Sequence, residues 1–112
     1  MTTYELGEIV LVVFPQTDGT AKKKRPAVVI LDVGDNDLVL APITSRTRTG
    51  PGDIEVASWT EAGLLCGSWA RLAKIACLDK WTVLRRLGRL VAGDLQELIR
   101  AWSKLYALTP RT

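Results

Sequence analysis

Histidine is absent from all 112 residues, and cysteine occurs only twice. The missing imidazole excludes Ser-His-Asp and Cys-His hydrolases, and with them the paired-histidine acid–base chemistry common among nucleases. It rules out any metal site with a histidine ligand, and two cysteines cannot complete a four-thiolate site within one chain. Proton transfer in an active site would fall to Asp, Glu, Lys, Tyr, a hydroxyl or water. Cys66 and Cys77 stand 11 positions apart, match no zinc or redox spacing, and read as small packed hydrophobes. No apolar run reaches the roughly 18 residues of a membrane span, and no basic-then-apolar leader opens the chain. A cytoplasmic protein without a membrane partner is therefore expected. Repeats, linkers and low-complexity tracts are missing too, and the length fits one domain over 1–112 with a core of its own.

Charge is present but unevenly placed. The net charge is only +3, yet Lys22, Lys23, Lys24 and Arg25 form a continuous cationic run with no acid nearer than Asp18. Arg46 and Arg48 follow in a polar stretch, and from Arg71 to Arg89 six cations face the single acid Asp79. Clustered cations at modest net charge can build one positive face, which attracts phosphate backbones. A charge run by itself also reads as a solvated loop.

The pattern of apolar residues is that of a small, mostly antiparallel β protein. Ile9 to Phe14 is a β-branched apolar run that reads as a strand buried on both faces. The lysine run reads as an exposed loop, and Pro26 opens a second strand, Ala27–Leu31. A third strand, Leu38–Ala41, runs on into Pro42-Ile43-Thr44. Connections this short join antiparallel strands, because parallel pairs need longer crossovers. Ser45 to Gly52 has no apolar residue and reads as loop, Asp53–Ala57 alternates as a half-exposed strand, and Ser58–Leu65 could turn once as a helix. Ser68–Ile75 alternates in part, and one or two further strands are expected before Val91. Leu95, Leu98, Ile99, Trp102, Leu105 and Tyr106 recur at helical spacing, so Asp94–Ala107 reads as an amphipathic helix. Asp94 and Glu97 form a capping-box-like pair at its start, and Pro110 ends it.

Three places put phosphate-competent side chains at or near strand ends: Arg25, Thr44 with Ser45, and Arg71. A guanidinium stays charged and donates in a fork that matches two oxygens, and a hydroxyl beside it can donate to a third. Taken singly, Arg25 also fits an edge-strand cation, and Thr44 a strand-end hydroxyl bonded to the backbone.

The order Gly7-Glu8-Ile9-Val10, Phe14-Pro15, Thr17-Asp18-Gly19, Lys24-Arg25-Pro26-Ala27-Val28-Val29-Ile30 and Pro42-Ile43-Thr44-Ser45 resembles the MazF/PemK family, the ribonuclease toxins of bacterial type II toxin–antitoxin systems. Trp59–Leu64, Ser68–Arg71 with Lys74, and Arg86–Leu90 are similar to its short PemK-type members, so the likeness spans nearly the whole chain. The resemblance implies a mainly β (α+β) fold, a small SH3-like antiparallel barrel with a C-terminal helix, usually in a homodimer. It implies an mRNA interferase that cuts single-stranded RNA without metal or other cofactor. In such a reaction the 2′-hydroxyl attacks to leave a 2′,3′-cyclic phosphate. An acidic antitoxin segment would lie across the same groove. Carried over by residue, the family motif makes Arg25, Thr44 and Arg71 the expected catalytic residues. Lys22, Lys23, Lys24, Ser45, Arg46 and Arg48 are the expected RNA contacts. Two departures stand out: Ala73 occupies a position where PemK-type members can carry aspartate, and Gly19–Lys24 holds no acid. The usual general base is missing while the phosphate binders remain. That leaves slow cleavage with water or Asp18 taking the proton, or a toxin-like module that binds RNA or an acidic peptide without efficient cutting.

Overall fold

Strand β1 (Glu8–Pro15) carries the longest apolar run, and in the computed structural model, which describes residues 2–15, 22–108 and 110, both of its faces are covered. Ile9 joins a core cluster with Val28, Ala41, Ile43, Leu72 and Leu98, against which Leu95, Trp102 and Leu105 of the C-terminal helix pack. Val10 and Val12 join a second cluster with Ala27, Val29, Leu38 and Leu40, closed by Tyr4, Phe14, Leu78 and Val83. Alternate residues of the first three strands thus enter different cores, which is why their sequences read as continuous apolar runs rather than as alternation.

The remaining strands are β2 (Lys22–Leu31), β3 (Asp37–Thr44), β4 (Asp53–Val56), β5 (Ser68–Arg71), β6 (Ala76–Asp79) and β7 (Val83–Arg89), followed by helix α1 (Ala92–Leu105). All pairings are antiparallel. The seven-stranded sheet runs β4-β5-β3-β2-β1-β7, with β6 also paired to β3. β3 can serve both because its first half pairs β6 and its last two residues pair β5. The expected antiparallel barrel with a C-terminal helix is what forms.

Several local expectations are corrected. Lys22–Lys24 are not loop but the first residues of β2, paired with Val13 to Pro15. Pro26 lies inside that strand opposite Leu11, and β3 pairs β2 only from Ala27 onward. Pro26 therefore sits where its missing N–H has no ladder to break. Ser58–Leu65 forms turns rather than a helix, held by Ala62 N–H to Ser58 O and Leu64 N–H to Trp59 O. α1 starts two residues early at Ala92, with Val91 at the cap position and no side-chain cap, and ends at Leu105, well before Pro110. Asp94 is buried and accepts from the Ser58 N–H at 2.9 Å, so it ties the preceding turn to the helix instead of capping it. Both cysteines are free and exposed rather than packed. No described helix is long and apolar enough to cross a membrane.

Candidate functional site

A cavity of about 530 Å³ opens where β1, β2, β3 and β7 meet the loops after β3 and before β5. Its wall is aliphatic: Leu11, Pro26, Ile43, Leu64 and Leu87 line it. Above that wall stand Lys23, Arg25, Arg46, Arg48 and Arg85, five cations, and among the described residues no carboxylate lines it. The backbone explains part of the grouping. Pro26, Leu11 and Arg85 form one rung across β2, β1 and β7, and directly opposed residues share a face of the sheet. Arg46 and Arg48 arrive on the acid-free loop that leaves β3 at Thr44.

Five of the acids are paired with other cations. Arg71 pairs with Asp53, Lys80 with Asp32, Arg86 with Glu8, Arg89 with Glu5 and Arg100 with Glu97. Among the described residues none of the five cavity cations has an ion-pair partner, so their charge is offered to whatever enters. Arg48 Nε is the one buried side-chain polar atom without a hydrogen-bond partner among the described residues. Leaving such a donor unmade costs about 1–3 kcal/mol, which a bound anion would recover.

Two of the three hydroxyls at the cavity, those of Ser68 and Thr44, differ in what they can still do. Ser68 Oγ donates to Cys66 O at 2.8 Å, so its proton is committed. Thr44 Oγ1 instead accepts from the Arg46 N–H at 3.2 Å, which leaves its own proton free to donate. Thr44 therefore both orders the first turn of the cationic loop and presents a donor beside it.

Of the residues singled out in the sequence, the cavity gathers Arg25, Thr44, Lys23, Ser45, Arg46 and Arg48. Arg71 and Lys24 are not among its lining residues, nothing is described for the Lys22 side chain, and Asp18 lies outside the described residues. Arg71 sits on β5 with its Nε 3.2 Å from Asp53 Oδ1. In register Thr44 faces Trp69, which makes Arg71 the diagonal neighbour of Thr44, roughly 7–8 Å away for such a pair. Sequence reasoning missed Arg85, the Gly63–Cys66 rim and Ser68. Arg85 carried no signal that separated it from Arg86. The rim includes Leu65, 97% exposed, an apolar side chain left in water at the cavity mouth. Among the described residues no three His, Cys, Asp or Glu side chains converge as a metal-ligand set.

An antiparallel barrel with an aliphatic cavity under five cations that have no ion-pair partner among the described residues is a fold suited to a polyanion. The chain belongs to the PemK-like, MazF-like toxins of type II toxin–antitoxin systems, whose family pattern it matches over residues 5–105. Solved structures are similar across almost its full length. An endoribonuclease in complex with its cognate antitoxin from a Mycobacterial species superposes with a TM-score of 0.74 at 17% identity, covering 97% of this chain and 100% of that one. The Mycobacterium tuberculosis toxin MazF-mt6 gives 0.70 at 19% identity, over 90% and 99%. A MazE–MazF structure from Deinococcus radiodurans gives 0.76 at 18% identity, over 97% and 100%. No curated protein is significantly similar to the chain in sequence.

Proposed function

We propose that the protein is an endoribonuclease toxin that cuts single-stranded RNA, mRNA included, at the cationic cavity, and that an acidic antitoxin silences it. The carrying observation is the joining of Arg25 and Thr44 in one cavity with Lys23, Arg46 and Arg48. Arg25 stabilises charge on the phosphate as the 2′-oxygen attacks and the bond to the 5′-oxygen breaks. Thr44 donates to a non-bridging oxygen and fixes the phosphate's orientation. Arg71, one diagonal step from Thr44, adds a second guanidinium from β5. Lys22, Lys23, Lys24, Ser45, Arg46 and Arg48 hold the neighbouring backbone. Among the described residues no carboxylate lines the cavity and the chain has no imidazole, so the 2′-hydroxyl proton leaves to water or to Asp18; the reaction uses no metal or cofactor, as in the toxins the chain resembles. The protein works in the cytoplasm as a homodimer, as the toxins it resembles usually do, and an acidic segment of the antitoxin competes for the same cations.

Purified protein should cut single-stranded RNA in EDTA, leaving 2′,3′-cyclic phosphate and 5′-hydroxyl ends. Arg25→Ala should lose about 10²–10³ in rate, as removal of one donor to a developing anion typically does. RNA that stays intact with wild type under these conditions would overturn the cleavage mechanism. The missing base favours a second reading, in which the protein holds RNA or the acidic peptide with little cutting. A base is worth about 10²–10⁴ in rate. RNA that is bound in a salt-sensitive way yet shows no cyclic-phosphate ends would support that reading over the first.

A further inference from the structure

We propose that Arg85 is a phosphate clamp for the RNA backbone, holding a phosphate that flanks the one at Arg25 and Thr44. The inference rests on the RNA reading above and adds a residue outside the motifs that suggested it. β7 carries two adjacent arginines, Arg85 and Arg86, and the sheet register sends them to opposite sides. Arg85 faces Leu11, which faces Pro26, and all three line the cavity together with Leu87 two residues further on. Arg86 faces Val10, a member of the other core. There it is held by three contacts. Its Nε donates to Glu8 Oε2 at 2.8 Å and an Nη donates to Thr3 O at 2.5 Å. Its guanidinium carbon also lies 4.5 Å from the centre of the Tyr4 ring. Arg85 has no ion-pair partner among the described residues and is exposed. One arginine is a structural clasp, and its neighbour is left over the cavity.

The placement of Arg85 also extends the cationic array. Arg46 and Arg48 approach from the end of β3, Lys23 and Arg25 reach the cavity from the Val12 face of β2, and Arg85 reaches it from the Leu11 face of β7, with β1 between. From β3 to β7 the array crosses three strand spacings, roughly 14 Å, wider than a single phosphate group. That span fits successive phosphates of an extended backbone. Arg25 and Thr44 lie within it, so Arg85 at its far side meets a neighbouring phosphate.

Salt dependence of binding tests this. A labelled single-stranded 2′-O-methyl RNA, which has no attacking hydroxyl and stays intact, is titrated with protein over a range of KCl concentrations. For single strands, log K falls by about 0.7 per log unit of salt for each phosphate neutralised. Arg85→Ala should flatten the slope by about 0.7, with an unchanged melting temperature, and Arg85→Lys should restore it. Arg100→Ala removes the same charge from an exposed ion pair on α1 and should leave the wild-type slope. On cleavable RNA, Arg85→Ala should raise KM and leave kcat in place. An unchanged slope in Arg85→Ala, or an equal flattening in Arg100→Ala, overturns the clamp. An unchanged RNA slope with weakened binding of an acidic peptide assigns Arg85 to that partner and also overturns it. Wild-type protein without salt-dependent RNA binding defeats the RNA reading itself, a separate result.

Discussion

Asp53 is the buried carboxylate that holds two cationic elements in place. Its side chain is 4% exposed, its Oδ1 accepts from Arg71 Nε, and its Oδ2 accepts from the Gly50 N–H at 3.0 Å. Gly50 belongs to the loop that carries Arg46 and Arg48, so one residue fixes both that loop and the guanidinium next to Thr44. Asp53→Asn keeps an oxygen for Gly50 and loses the charge that orients Arg71. Cleavage by Asp53→Asn should fall less than by Arg71→Ala, and the double variant should be no worse than Arg71→Ala alone. Measured as a double-mutant cycle, the coupling should reach about 0.5–3 kcal/mol, as contacting residues show; additive losses would mean that Asp53 does not act through Arg71. At this scale the sequence was legible where residue type and chain order agreed. Arg25 and Thr44 end adjacent apolar runs and reach one cavity. Which of Arg85 and Arg86 faces that cavity was not legible, because two register shifts in the β1–β7 ladder decide it. Asp94 misled for a similar reason: its spacing to Glu97 suits a cap, but a tertiary partner, the Ser58 N–H, takes the carboxylate.

Elements are brought together at the cavity by close backbone approach. Gly63 and Gly88 face each other so tightly that a Cβ on either would meet the other segment's backbone, Leu87 O and Ala62 O respectively. Gly63 also has φ +89°, which side chains rarely adopt. This contact seats the Gly63–Cys66 rim against β7, beside Leu87 and Arg85. Gly88→Ala should cost about 1–3 kcal/mol or more through overpacking against unyielding backbone, and RNA binding should weaken in the protein that remains folded. Gly93→Ala, with open space around its Cβ inside α1, should be neutral or stabilising by up to about 1 kcal/mol. Urea unfolding of both variants checks the contrast, and equal stabilities would refute it. α1 was legible because Leu95, Leu98, Trp102 and Leu105 keep one face toward the core, the signal that periodicity reads directly. The strand nature of Lys22–Lys24 was hidden, since charge run and hairpin arm look alike until β1 supplies the ladder.

Across the whole molecule, the five cavity cations lack an ion-pair partner among the described residues, while Lys80, Arg86 and Arg89 are paired on the side where the N-terminal segment is bound. Asp32 organises that second side. It accepts from the Tyr4 N–H and the Gly34 N–H, each at 2.8 Å, and pairs with Lys80 Nζ at 3.0 Å, while Lys80 also donates to Thr2 O. The Tyr4 N–H is the largest influence holding the Asp32 carboxyl below its ordinary range, helped by Gly34 and Lys80 against the opposing effect of burial. Asp37 is pushed the other way, first by burial and then by Asp79, which stands directly opposite it, and by Asp35. Linkage gives the two opposite signs. The contribution of Asp32 is present above the ordinary aspartate range and is lost as pH falls through its lowered pKa. The penalty at Asp37 is present above its raised pKa and is relieved as pH falls through it. Near neutral pH Asp32→Asn should therefore lower the melting temperature and Asp37→Asn should raise it, and both differences should shrink on acidification. The Asp37→Asn gain should fade at the higher pH of the two, because its pKa is raised where that of Asp32 is lowered. Neither residue lines the cavity, so neither variant should change the salt dependence of RNA binding. Thermal melts across an acid series check the signs and their order, and a shared direction, or differences that persist unchanged into acid, would sever the link between these two carboxylates and the stability of the fold.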